Sequence, residues 1–418
     1  MSSQSTVSPD IQLILTRLSL LLVIYAAGLV IAPSSQLPLL VFCVGMASTF
    51  YRTNSFKWLI DKFVKLDMTS ERQDIVNAIA SLKRYETLAL AWNNHKTRTF
   101  KRVSWEDQKQ AREIGYYDHL MSVNQAIHDN GALCQRIVKE AIKKHGISEL
   151  ELKSSLYSKA NSRVIEAICH YARDWTELGD GELKPLLSYI IENLDRNISV
   201  EDRSKTVLII PGSGLGRIAH ELSSLTPQFK SVQAVEFSSL MHLCNEFIYS
   251  EPQTESFQLH PYVHTYSHHI TKANHTRSIT LKKQPTKPSN LTLNFKDFRK
   301  FNLPESIEYD NVVIVTAFFL DTAQNLFEYF ASIERLIGSK TGLWINIGPL
   351  KYGTAPVVEF SLEELRHLRK IRGWKDIDEP KPYGEEISGY LTDVKGLWQG
   401  YYGLGRWTSK YSENRKNY

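Results

Sequence analysis

The chain has 418 residues, 42% hydrophobic and 23% charged, a composition that excludes a disordered or low-complexity protein and suits two or three folded domains. Fifty basic against 45 acidic side chains leave a formal charge of +5, with no long Lys/Arg run, so nucleic acid is not an expected partner. Four cysteines lie far apart without a C-x-x-C spacing, which excludes a disulfide framework and a zinc ribbon.

Only Asp10 and Arg17 are charged in the first 50 residues. An apolar run from Leu18 to Ala32, which lengthens if Ile11 starts it, is followed by Pro33-Ser34-Ser35-Gln36 and a second apolar run from Leu37. A spanning helix needs about 20 apolar residues, so each run sits near the lower limit. Three readings stand: a membrane hairpin or single anchor within residues 11–51, a signal peptide cut after Ala32, or a buried helix pair. Basic residues flank both ends, Arg17 before and Arg52, Lys57, Lys62 and Lys65 after. A hairpin would therefore leave the rest of the chain in the cytosol. The expected locations are a membrane-anchored protein with a cytosolic domain or, with no anchor, a cytoplasmic one.

From residue 55 to about 200 the pattern is helical. Ile75, Ile79, Leu82, Tyr85 and Leu88 recur every three or four residues, and Lys143-Lys144-His145-Gly146 reads as a helix C-terminus. From residue 201 short strands rich in Val and Ile alternate with helices: 206–211, 232–237, 311–319 and 342–348. Nearly continuous apolar strands joined by helices predict an α/β fold with a mostly parallel sheet. The expected division is thus 1–54, an apolar anchor; 55–200, a helical domain; and 201–418, an α/β domain. The polar stretch 250–294 reads as a loop or insertion. Its five histidines, His260, His264, His268, His269 and His275, lack an acid or Cys at a familiar metal spacing, so no metal is expected.

After the first strand comes Gly212-Ser213-Gly214-Leu215-Gly216 and a helix. Such a turn lets the backbone approach a ligand. It is not a P-loop, because no Gly-Lys-Ser/Thr follows. Glu236, which closes the next strand, can accept both hydroxyls of a ribose. Turn and acid together point to an adenosine-containing ligand; a tight turn with a structural acid is the other reading. Asp297-Phe298, placed just before a third strand, offers an acid to an adenine amino group.

The stretches "ARDWTELG" (172–179), "PGSGLGRIAHEL" (211–222), "VEFSSLMHL" (235–243), "TAFFLDTAQN" (316–325) and "WINIGPLKY" (344–352) resemble the carnosine N-methyltransferase family, a branch of the class I S-adenosylmethionine-dependent methyltransferases. The resemblance runs from about residue 70 to 405. It implies a Rossmann-like class I methyltransferase fold and S-adenosyl-L-methionine as cofactor. It implies that Arg173 contacts the methionine carboxylate, that Gly212 and Gly214 pass the cofactor, that Glu236 holds the ribose and Asp297 the adenine amino group, with His170, Phe298 and Phe318 beside them. Asp321, at the end of the fourth strand, would bind the acceptor imidazole and act in catalysis, with Tyr352 and Tyr402 on the acceptor side. A helix cap is the alternative role for Asp321.

Three positions depart from the family. His170 stands where the family has Gln. Gly353 follows "GPLKY" where the family has a His after "GPLLY"; His264, His268 or Tyr352 are candidate substitutes. Gly400-Tyr401-Tyr402 replaces three tyrosines. The expected function is N-methylation of an imidazole or amine nitrogen of a small peptide-like molecule such as carnosine. Methylation in a secondary-metabolite or modified-peptide pathway and a non-catalytic scaffold are the alternatives.

Overall fold

The computed structural model describes residues 9–32, 35–51, 69–155, 163–251, 255–282, 286–353, 355–378 and 387–411. The basic flank Arg52, Lys57, Lys62 and Lys65 lies outside them. The chain divides into two compact units, residues 1–73 with 148–159, and residues 74–147 with 160–418.

In the first unit, α1 (Pro9–Ile31), apolar beyond Arg17, and α2 (Leu37–Tyr51) are helices without a distinct polar face over their apolar lengths. They pack antiparallel: Gly28 lies against Pro38, Tyr25 against Phe42 with ring centroids 5.6 Å apart, and Gly45 against Leu21. α3 (Ser70–Phe100) starts in this unit, where Arg72 pairs with Glu151 at 2.5 Å. Glu151 belongs to α6 (Glu149–Ser155).

The second unit holds the rest of α3, α4 (Trp105–Glu113) and α5 (Tyr116–His145). It continues with α7 (Val164–Trp175) and α8 (Asp180–Asn197) ahead of the sheet. The central strands are β1 (Thr206–Pro211), β2 (Ser231–Glu236), β5 (Leu291–Phe295), β6 (Asn311–Ala317), β7 (Thr341–Gly348), β8 (Trp374–Asp376) and β11 (Gly405–Tyr411). Their order is β5-β2-β1-β6-β7-β11-β8. The first five are parallel, and β11 runs antiparallel to both β7 and β8.

Alternation along each strand builds two cores. Val207, Ile209, Val312, Ile314 and Trp344 face α12 (Leu326–Ile337), with Phe330 and Ile333 buried between. Leu208, Ile210, Val313, Val315 and Ile345 face Leu186, Ile190 and Leu194 of α8 and Leu222 of α9 (Arg217–Ser223). Burial on both faces explains why these strands show continuous apolar runs instead of alternation.

Residues 250–294, expected as loop, contain a hairpin of β3 (Ser256–Leu259) and β4 (Ile279–Lys282), the short α11 (Lys272–His275), and β5. The histidines there go to separate partners. His260 meets Asp129 at 3.0 Å, His264 meets Tyr85 at 2.7 Å and His275 meets His119 at 2.8 Å. Between β2 and β3 runs α10 (Ser239–Ile248), and α13 (Leu362–Ile371) precedes β8. A two-stranded strap of β9 (Ile387–Gly389) and β10 (Tyr401–Gly403) lies outside the main sheet.

Candidate active site

The site forms where the parallel strands end. β1 stops at Pro211, and the turn beyond it carries Gly212, Gly214 and Gly216 at φ of +62°, +56° and +81°. These are left-handed values that glycine adopts without strain. At Gly212 a Cβ would also lie 2.4 Å from the Phe319 ring. Glu236 closes β2. Its Oε2 accepts the Gly214 N–H at 2.8 Å and its Oε1 the Ser238 N–H at 2.7 Å. Burial pushes the Glu236 carboxyl up from its ordinary pKa, while the two amide donors pull it down. Each oxygen keeps a second lone pair for a further donor.

α7 presents His170 and Arg173, three residues apart and both buried. Arg173 donates from Nε to Glu182 at 2.8 Å and from Nη1 to Asp174 at 2.9 Å. Its guanidinium lies 4.9 Å from the centre of the Tyr390 ring. Among the described residues no acceptor is bonded to Nη2. Phe318, just beyond β6, sits at φ +50°, a left-handed conformation uncommon for a bulky residue and typical of functional sites. Its ring stacks on Tyr390 at 5.0 Å.

These groups enclose a cavity of about 50 Å³ lined by His170, Arg173, Gly212, Ser213, Gly214, Phe318 and Tyr390. Two of its polar atoms, His170 Nδ1 and Ser213 Oγ, are buried and have no partner among the described residues. Orphaned buried groups of this kind call for a ligand or water. Arg173 and Tyr390 also line a second cavity of about 550 Å³, together with Cys169, His268, Lys351, Trp398 and Tyr402.

Asp321 follows β6 in the short 3₁₀ turn Leu320–Thr322. It is not the cap of α12: Asn325 is, accepting the Phe327 N–H at 3.2 Å. The Asp321 side chain is 8% exposed and accepts the Lys351 N–H at 3.1 Å. Burial pushes its pKa up to about 6. Lys351 reaches the Tyr402 hydroxyl at 3.3 Å, and Tyr402 stands edge-on to Phe318 at 6.3 Å. Tyr352 instead donates to the Phe360 carbonyl at 2.8 Å.

Asp297 lies between two strands, directly after β5 and some way ahead of β6, and caps the 3₁₀ turn Phe298–Lys300. The Arg299 guanidinium donates to it at 2.7 Å and holds its carboxyl below the ordinary range. Phe298 is buried edge-on to Phe319 at 5.6 Å. His264 is committed to Tyr85, whereas His268 is on the larger cavity.

Five expected residues thus meet at the small cavity, and Glu236 is tied to them through Gly214. Asp321 and Tyr352 flank Lys351 without lining either cavity. Sequence reasoning missed Tyr390, Glu182 and Lys351. Tyr390 and Glu182 sit in stretches without a motif and reach the site only by tertiary contact. Lys351 lies beyond the end of β7, where no local pattern sets it apart.

Numbered by sequence within the sheet, the strands run 3-2-1-4-5-7-6, with strand 7 alone antiparallel to its two neighbours. With a glycine turn after strand 1 and an acid closing strand 2, the molecule is a class I S-adenosylmethionine-dependent methyltransferase. The chain belongs to the carnosine N-methyltransferase family, whose sequence pattern matches residues 151–413. It is similar to an uncharacterized protein of Saccharomyces cerevisiae, 32% identical over 377 residues and covering 81% of either chain. The carnosine N-methyltransferase of Schizosaccharomyces pombe is 26% identical over 79% of this chain and 94% of its own. That of Mus musculus is 26% identical over 71% and 76%. Among solved structures, an S-adenosylmethionine-dependent methyltransferase from Aquifex aeolicus covers 61% of this chain at 13% identity with a TM-score of 0.33. The protein is an enzyme that transfers a methyl group to nitrogen, and its cofactor is S-adenosyl-L-methionine. The orphaned polar atoms at the glycine turn and the unfilled lone pairs of Glu236 fit that cofactor.

Proposed function

We propose that the acceptor is an imidazole or amine nitrogen of a small peptide-like molecule such as carnosine, held by Asp321. The observation that carries this is a buried carboxylate at the end of β6 that caps no helix and is fastened by one amide. Such a group accepts a ring N–H and leaves the lone pair of the other ring nitrogen free to attack. It also stabilises the cationic product. S-adenosyl-L-methionine supplies the methyl group as a sulfonium. The remaining work of the protein is placement: Arg173 on the methionine carboxylate, with His170 beside it, Glu236 on the ribose, and Asp297 and Phe298 at the adenine end, with Phe318 lining the small cavity. Tyr352 and Tyr402 belong to the acceptor side. Lys351 forms no direct ion pair among the described residues, though its charge acts on Asp321, and it offers a cation to an acidic group of the acceptor.

One observation favours a bulkier acceptor from a modified-peptide or secondary-metabolite pathway. At Gly353, where the family carries a histidine, a Cβ would meet nothing within 4 Å. Methyl-transfer assays over imidazole dipeptides and larger amines, with the methylated atom located by mass spectrometry, decide between them. Turnover confined to compounds without imidazole would overturn the carnosine-like assignment.

We also infer that α1 and α2 attach the enzyme to a membrane with the catalytic unit in the cytosol. Support comes from Ile14–Ile31, long and apolar enough to cross a membrane, with a mean hydropathy of 2.3 and no residue buried. Carbonate-resistant sedimentation of the full chain with membranes is the test.

A further inference from the structure

The geometry points to α1 and α2 entering a phospholipid surface from one face as a pair, without crossing it. This inference rests on the membrane reading above and goes beyond it to topology and to the kind of lipid surface that fits. The packing pairs Leu21 with Gly45, Tyr25 with Phe42 and Gly28 with Pro38. The same register sets Arg17, the charge nearest the apolar arms, level with Thr49 near the end of α2. Both arms therefore leave the polar boundary at one height and turn at one depth. From Leu18 to Ile31 α1 extends about 21 Å, and the 15 residues of α2 extend about 22 Å. A bilayer hydrocarbon core is about 30 Å thick, so α2 falls short by about 8 Å, and Ile14–Ile31 of α1, about 27 Å long, comes near that thickness only by drawing Arg17 into the hydrocarbon.

The side chains suit hydrocarbon. Leu20, Leu22, Val23 and Ile24 are exposed and lie around much of α1, so no single face awaits a protein partner. Two hydroxyls on the arms are satisfied from within. Ser19 Oγ donates to the Leu15 carbonyl at 2.9 Å and Thr49 Oγ1 to the Gly45 carbonyl at 2.8 Å. At the turn, Ser35 Oγ accepts the Leu37 N–H at 3.1 Å. Internal satisfaction of polar groups is what lipid demands and water does not. The turn Pro33-Ser34-Ser35-Gln36 carries no charge that would require water on the far side. A hairpin that needs no far aqueous face fits a phospholipid monolayer over neutral lipid as well as a bilayer.

Full-length protein is mixed with phosphatidylcholine vesicles and, separately, with triolein droplets coated by phosphatidylcholine, and both are floated on a gradient. Flotation with both is expected. In the vesicles, a Ser35→Cys variant made with Cys43→Ala is treated with a charged maleimide outside, or trapped inside. The introduced thiol should stay unlabelled from either side and react after detergent. Labelling from inside overturns the topology while leaving membrane attachment intact. Flotation with vesicles but not droplets overturns it in the same way. Flotation with neither overturns the attachment itself. In that event, a concentration-dependent dimer on sedimentation would identify a second copy as the partner of these faces.

Discussion

Glu236 is positioned by the Gly214 and Ser238 amides and needs no ligand to hold it. Hydrogen bonds to a charged group contribute about 1.5–3 kcal/mol each. Glu236→Ala should weaken S-adenosyl-L-methionine binding by about tenfold or more by calorimetry, with circular dichroism unchanged. Unaltered affinity would remove its assignment to the ribose. Asp321→Asn should lower turnover at least about a hundredfold and move cofactor affinity by less than about twofold, as expected for a group that binds the acceptor alone. The Asp321 carboxyl also makes a pH prediction. With its pKa raised to about 6, it holds its proton more tightly folded than unfolded. The associated stability is full below the unfolded value of about 4 and is lost as pH rises through the folded one. Asp321→Asn should flatten this loss in melting temperatures measured from pH 4 to 7. The ionised form is the one that receives a ring N–H, so kcat/KM should rise with pH along an acid limb near 6 in the native enzyme. At this scale the glycine turn and Glu236 stood out locally because backbone approach and ion recognition require particular residue types, whereas Arg173 entered only through the family resemblance. Lys351 and Tyr390 did not stand out, because nothing local distinguishes a lysine or tyrosine that reaches a cavity from one that reaches solvent.

Glu182 is one of the side chains that tie the strap of β9 and β10 to the site. Glu182 accepts the Leu391 and Thr392 amides at 3.0 Å each and also binds Arg173 at 2.8 Å. Tyr390, next to β9, lines the small cavity together with Arg173 and Phe318. Glu182→Ala should speed hydrogen exchange at Leu391 and Thr392 and weaken cofactor binding severalfold, since Arg173 loses the acid that orients it. Unchanged exchange there would mean the strap is held elsewhere. Element by element, β1, β2, β6 and β7 were readable to within a residue or two, because burial on both faces demands unbroken apolar runs. β5 was not: it is an edge strand, with Leu291 buried and Thr292 exposed, and it follows a long polar stretch. β8, β9 and β10 have three residues each, too few to show a period.

None of the residues placed at either cavity comes from the first 51. A chain lacking residues 1–51 should therefore leave the membrane fraction and keep its cofactor affinity within about twofold, a change below roughly 0.5 kcal/mol. Loss of binding in that variant, with the fold intact, would show that the apolar hairpin supports the catalytic unit. Composition, the change from helical to α/β periodicity, the glycine turn and the spaced acids were determined by the sequence alone, since each follows from local backbone conformation or from the partition of side chains between water and core. Tertiary structure decided what those residues face. It set Asn325 and not Asp321 as the helix cap, turned Asp297 toward Arg299, and committed His264 to Tyr85. It also brought Tyr390 and Glu182 onto Arg173. The Asn325 cap and the Asp297–Arg299 pair are local, but His264–Tyr85 and Tyr390–Arg173 join positions far apart in the chain, and a local pattern carries no information about which distant side chain a buried group will meet.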